Sequence, residues 1–202
     1  PYLSRGLGDV YKRQARANGF AIPFLNGPRM AVFPTAPEPS SGIGHYRSWA
    51  EDLVIHEDAH LVHMLRPSRN PLLSVFMSGF VGVSPVSLNS PAWVVEGYAT
   101  VVEGRLTGLG RPYSDGRAAF LRTLAADGQL PPYAELDGPD RWSSGSYRYL
   151  VGSAYLEWLL ARSHEGALRD LWARMTAREI RSFEEAFEGV FGDAPGTLYA
   201  RF

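Results

Sequence analysis

The 202-residue chain has no cysteine. Disulfides, thiolate metal sites and cysteine nucleophiles are therefore excluded, and the redox compartment stays open. Neither sign of charge dominates: 20 basic residues face 21 acidic ones, for a net charge of −1. With no basic block in the sequence, neither a nucleic-acid groove nor a patch for anionic membranes is expected. No apolar run is long enough to span a bilayer. The longest uncharged stretch, Asn70 to Val95, is interrupted by Pro71, Gly79, Gly82, Pro85, Asn89 and Pro91. It reads as a buried loop, with a loop that touches a membrane as the alternative. Internal repeats and low-complexity tracts are lacking too. What the chain does have is apolar content, 45% of its residues, enough for one sizeable core.

A single domain over residues 15–202 is expected. The opening PYLSRGLGDVYKRQ carries Arg5, Asp9, Lys12 and Arg13 and has no apolar centre of the secretory type. It resembles adapter-derived read-through, so residues 1–14 are expected to be a non-native leader. The closing TLYARF reads as a helix that stops without a cap, and native sequence is expected to be missing at both ends. GFAIPF and MAVF read as two short strands, with Asn26-Gly27-Pro28 as turn chemistry between them. Ser48 and Glu51 have capping-box spacing at the head of a helix that Pro67 ends near Leu65. That helix is apolar on nearly every side and should be central. Ser90-Pro91 starts a second helix, Ser as cap and Pro at the first helical position. Further helices are expected at about Asp115–Ala126, Tyr147–Arg162, Ala167–Met175 and Phe183–Val190, the last capped by Ser182 with Glu185. Gly128–Gly145 reads as a long polar loop.

The first helix contains LVIHEDAHLVHM, in which His56, Glu57 and His60 form H-E-x-x-H. At about 100° per residue, His60 lies about 40° around from His56 and about 6 Å along, so both rings reach one ion. Glu57 falls beside that ion without ligating it. There a carboxylate takes a proton from attacking water and passes it to the leaving amine, the chemistry of zinc-dependent peptide hydrolysis. The bland alternative is a buried helix whose histidines satisfy core hydrogen bonds. Catalytic zinc takes three protein ligands and keeps one position open. His63 shares the face, but it rises about 10 Å from His56 whereas zinc–nitrogen bonds are about 2 Å. It is expected behind the ligands or in the core. The metzincin extension fails, since His63 stands at its glycine position and Arg66 at its last histidine. The E-x-x-H of di-iron bundles occurs once, as Glu57 and His60, not twice. Glu96 in SPAWVVEGYATVVEG is the better third ligand, and Gly97 beside it permits this helix to approach the first closely. Glu103 falls on the same face, where it orients a ligand or else points to solvent.

H-E-x-x-H followed 36 residues later by Glu96 in W-x-x-E-G-x-A resembles the gluzincin zinc metallopeptidases. Aminopeptidase-type members carry an acidic residue where Glu103 stands. YLVGSAYLEWLL is similar to their tyrosine motif Y-x-x-G, which implies Tyr149 as the hydroxyl that supports the transition state. GFAIPFLNGPRMAVF, GRPYSDGRAAFLRT and FEEAFEGVFG add a likeness in order and spacing to bacterial peptidase MA family domains, over about residues 18–202. The resemblance implies a zincin-like α+β fold, a small N-terminal sheet followed by a mainly helical body. It further implies one Zn2+ per chain and a peptide or protein substrate. Family members often precede a Tol-type β-propeller in exported proteins, so a C-terminal propeller and an extracytoplasmic location, periplasmic or secreted, are expected. GFAIP stands where aminopeptidases carry G-A-M-E-N. Gly19, Phe20 and Ala21 are instead expected to form an edge strand that pairs with an extended substrate.

Tyr147 and Tyr149 point about 160° apart on a helix, so only one can face the metal. Gly152, at the motif spacing, and the shared inward face with Leu156 favour Tyr149. The competing functional class is a catalytically inactive domain that acts as an interaction module; such a module needs neither Glu57 nor Tyr149.

Overall fold

The computed structural model describes residues 19–22, 29–32, 35–37, 46–78, 84–138 and 142–202. The expected leader and the Asn26-Gly27-Pro28 turn lie outside them. Strands β1 (Gly19–Ile22) and β2 (Arg29–Val32) pair antiparallel, with Gly19 opposite Val32 and Ala21 opposite Met30. The remainder is mainly helical, which agrees with a small sheet ahead of a helical body.

Helix α1 (Trp49–Met64) starts where Ser48, in extended conformation, accepts the Glu51 N–H at 3.4 Å. Its buried positions include Asp52, His56, Glu57, His60 and His63, an unusual polar load for a central helix. The uncharged stretch that follows is not a buried loop. It contains α2 (Pro71–Ser78) and α3 (Pro85–Asn89). Pro71 and Pro85, two of the three prolines that read as breakers, are the first residues of helices, where a missing N–H removes no helical bond. Asn70 Oδ1 accepts the N–H groups of Leu72 and Leu73 at 3.0 and 3.1 Å, and Ser84 with Ser87 forms a capping box. Helix α2 exposes its apolar side chains, Leu72 by 82% and Phe76 by 68%.

Helix α4 (Ala92–Thr107) begins one residue later than Ser90-Pro91 capping requires. Pro91 is its cap residue, and the Ala92 N–H is taken by the Asp137 carboxylate from a 3-10 turn at Tyr133–Asp137. That turn lies inside the segment expected as a long loop. Helix α4 stops at Gly108 with φ 69°, and a second left-handed glycine, Gly110, leads into a 3-10 turn at Arg111–Tyr113. Ser114 then caps α5 (Asp115–Ala126). Helix α6 (Trp142–Leu160) starts five residues before Tyr147, and α7 (Ala167–Met175), α8 (Phe183–Phe191) and α9 (Pro195–Tyr199) complete the body. The capping box at α8 is formed, with Ser182 and Glu185 exchanging bonds at 2.8 and 3.1 Å.

The core lies between α4, α6, α7 and α8, around fully buried Trp93, Tyr155, Leu171, Trp172 and Phe187. Each such side chain contributes about 1.5–3 kcal/mol through burial. Helices α4 and α6 cross at glycines. A Cβ on Gly97 would lie 2.9 Å from the Gly152 carbonyl carbon, and one on Gly152 would lie 2.8 Å from the Trp93 carbonyl oxygen. Gly97 therefore admits α6, not α1 as the sequence suggested. Arg117 ties α5 to the same helix, donating to Leu150 O at 3.3 Å, Ser153 Oγ at 2.9 Å and Glu157 Oε2 at 2.7 Å. Among the described residues, no helix is long and apolar enough to cross a membrane.

Candidate metal centre

Two neighbours of α1 complete its polar face: α4 on one side and β1 over the other. One turn of α1 separates His56 from His60, whose rings meet edge to face at 4.9 Å. Glu96 comes from the first half of α4, with Oε2 3.4 Å from His56 Nε2 and 3.2 Å from His60 Nε2. Donor atoms of the three residues all lie within 4.8 Å of one another. Two donors each about 2.1 Å from a tetrahedral ion are about 3.4 Å apart, so these separations fit a shared metal. The donor set fits as well. Glu96 Oε2 is buried without a hydrogen-bond partner among the described residues. Burial alone would raise the Glu96 pKa, but the two histidines outweigh it and hold the carboxyl far below its usual range. His56, His60 and Glu96 could thus hold a metal ion.

Behind His56 stands Glu103, fully buried, so the solvent-facing alternative for this residue fails. Its Oε2 accepts from His56 Nδ1 at 3.1 Å, which directs the Nε2 lone pair toward Glu96 and the metal position. Burial opposes ionisation of Glu103, yet the bonds to His56 and the charge of Arg111 lower its pKa. Arg111 was not singled out by sequence reasoning. Its Nη1 donates to Glu103 Oε2 at 2.8 Å and its backbone N–H to Oε1 at 3.3 Å. The left-handed Gly110 makes room, since a Cβ there would overlap Glu103 Oε1. The only sequence signal was Gly-x-Gly-Arg directly after a helix. Asp52, also missed, sits beside this group with both carboxyl oxygens buried and without a donor among the described residues. Burial first, and then the Glu103 charge, push its pKa up to about 7.

Glu57, next to His56 on α1, is buried, and its pKa is raised, chiefly by burial and against the attraction of both histidines. The Ala21 N–H bonds its carboxylate. That N–H therefore points away from β2, and alternation along an antiparallel strand gives Gly19 the same outward direction. Strand β1 lies close over α1: a Cβ on Gly19 would be 2.8 Å from Leu53 Cδ1 and 3.1 Å from Glu57 Oε1.

Tyr149 of α6 faces the same site. Its ring stacks on His56 at 6.0 Å between centroids, and the Arg111 guanidinium lies 5.1 Å from the ring centre. Burial, followed by the Glu96 charge, raises the phenol pKa and keeps it protonated. Tyr147 points elsewhere, stacked on Phe120 at 6.5 Å. His63 is fully buried and wedged between Trp172 at 3.9 Å and Tyr98 at 5.0 Å. Neither of its ring nitrogens has a partner among the described residues, so it bonds none of the three candidate ligands.

These groups open on one pocket of about 360 Å³, whose lining includes Gly19, Phe20, Ala21, His56, Glu57, His60, Glu96, Arg111 and Tyr149. The arrangement places three residues that could hold a metal ion, a buried carboxylate, a buried phenol and a strand around a single small space. No protein-family model, curated protein or solved structure matches the chain, so its family rests on no relative.

Proposed function

We propose that the chain is a zinc metallopeptidase that hydrolyses peptide bonds, with His56, His60 and Glu96 as ligands. One observation carries the reading: the His56, His60 and Glu96 donor atoms lie within 4.8 Å of one another, with Glu96 Oε2 3.4 and 3.2 Å from the two imidazole Nε2 atoms, in the pocket that also holds Glu57 and Tyr149. An all-imidazole and carboxylate set with an open side suits zinc in a hydrolytic site. Zinc held there by His56, His60 and Glu96 would supply Lewis acidity, enough to polarise a carbonyl and to let water lose a proton near neutral pH. Glu57 accepts that proton and passes it to the leaving nitrogen. Tyr149 donates a hydrogen bond to the carbonyl oxygen as negative charge develops. Glu103 and Arg111 keep His56 in one tautomer and one orientation. The substrate is an extended peptide laid along the outer edge of β1, its scissile bond between Glu57 and Tyr149.

Metal analysis of the purified chain tests this reading. About one zinc per chain is expected, lost in His56→Ala, together with chelator-sensitive cleavage of a peptide library. A protein that binds no metal under non-chelating conditions, or binds zinc and cleaves no peptide, refutes it.

A further inference from the structure

A second cavity, of about 390 Å³, shares no lining residue with the metal pocket. It forms where Arg69, just after α1, meets α7, α8 and the turn between them. Arg69, Arg174 and Arg181 line it against a single carboxylate, Asp170. In a chain of net charge −1, this concentration of cations does not follow from bulk composition. Asp170 is engaged by His164 at 2.8 Å, and Arg181 pairs with Glu179. Among the described residues, no carboxylate pairs with Arg69 or Arg174. We propose that this cavity binds a phosphate ester, gripped by the guanidinium groups of Arg69, Arg174 and Arg181.

The two unpaired arginines are positioned by contacts that leave their charge available. Arg69 Nη2 donates to Ala173 O at 2.6 Å and Nε to Thr176 O at 3.4 Å, carbonyls at the end of α7 that lack intrahelical donors. Capping explains Arg69 but not Arg174. The Arg174 guanidinium lies across α8 at Gly189, where a Cβ would overlap it, so the glycine acts as its seat. Its Nε is buried and bonds no acceptor among the described residues. An unsatisfied buried donor costs more than a last-turn cation gains from the helix dipole. An oxyanion in the cavity supplies the missing acceptor. Guanidinium forks match the tetrahedral oxygens of phosphate, and the cavity falls in the about 300–1,000 Å³ range of small-molecule sites. The ligand is therefore an ester and not the bare ion. A soluble ester and a phospholipid headgroup share this chemistry. The second source is relevant because Asn70, which donates to Arg178 O at 2.7 Å beside the cavity, also heads α2 with its exposed Leu72 and Phe76.

The test uses the full chain, with glycerol 3-phosphate by calorimetry and phosphatidylcholine vesicles, with and without phosphatidic acid, by co-sedimentation. Saturable binding is expected in at least one arm. Arg174→Gln and, separately, Arg181→Gln should each weaken it at least about tenfold, as for one lost charge-assisted hydrogen bond. Arg201→Gln, which removes an exposed partner of Asp193 away from the cavity, should leave it unchanged. Co-sedimentation confined to phosphatidic acid vesicles assigns the headgroup; calorimetric binding alone assigns the soluble ester. Absence of saturable binding in both arms, or wild-type binding by both cavity variants with unchanged circular dichroism, overturns the proposal.

Discussion

Glu57 and Tyr149 face one pocket from different helices. Burial is the first cause of a raised pKa in both, and it keeps the phenol a donor. Glu57→Gln preserves shape but cannot accept a proton, so peptide hydrolysis should fall about 10²–10⁴-fold while zinc content stays at the wild-type level. Turnover near wild type in that variant would remove Glu57 from the role of base. Tyr149→Phe should lower kcat by about 10²-fold or more with zinc content unchanged, because one donor to the developing oxyanion is lost. Tyr147→Phe should do little, since that ring packs on Phe120. Steady-state kinetics on both variants decide between the tyrosines: a defect confined to Tyr147→Phe would transfer the role. The candidate ligands were legible because helical spacing alone converges His56 and His60. Arg111 and Asp52 were not. Their significance comes from contacts across 3-10 and helical segments distant in sequence from one another, and an arginine in a turn or an aspartate in a first turn carries no local mark.

The relation of α4 to α6 sets the distance between Glu96 and Tyr149, and two facing glycines set that relation. A Cβ on Gly152 would meet the Trp93 backbone oxygen at 2.8 Å, an atom that cannot rotate away. Gly152→Ala should therefore push α6 from α4, destabilise the fold by about 1–3 kcal/mol and weaken zinc retention as Glu96 shifts. Urea unfolding and metal content measure both effects, and a variant with unaltered stability would show that the crossing yields freely. The motif glycine read from Y-x-x-G thus has a packing reason independent of any family. Legibility varied among elements for similarly local reasons. Helices α1, α5 and α8 carry serine caps within three residues of their starts, and their bounds were readable. Helices α2 and α3 were missed because Pro71 and Pro85 signal both a break and a beginning, and only the preceding Asn70 and Ser84 distinguish them. The start of α4 depends on Asp137, 45 residues away, which no local pattern reveals.

At the scale of the whole molecule, two buried ionisable groups on α1 oppose one another in the linkage between pH and stability. Burial first, then the charges of His60 and Arg66, bring the His63 pKa down to about 3. Its ordinary value is about 6.5. Between those limits the unfolded chain binds more protons, so the contribution of His63 is complete above about pH 6.5 and is lost as pH falls toward 3. Asp52 is the mirror case, raised to about 7 from 3.8. There the folded chain binds more protons, so its contribution is present below about pH 3.8 and is lost as pH rises through 7. Each slope has an upper bound of about 1.4 kcal/mol per pH unit, and from about pH 4 to 6.5 the two nearly cancel. Differences between variant and wild type separate them, because the other titrating groups, His56 and Glu96 included, are common to both. With chelator present throughout, His63→Leu should become progressively less stable relative to wild type as pH rises from 4 to 6.5. Asp52→Asn should become progressively more stable relative to wild type over the same range and on to pH 7. Chemical denaturation at half-unit pH intervals measures both differences. A flat or falling Asp52→Asn difference would mean that Asp52 is solvated in the folded protein, and a flat or rising His63→Leu difference would mean the same of His63.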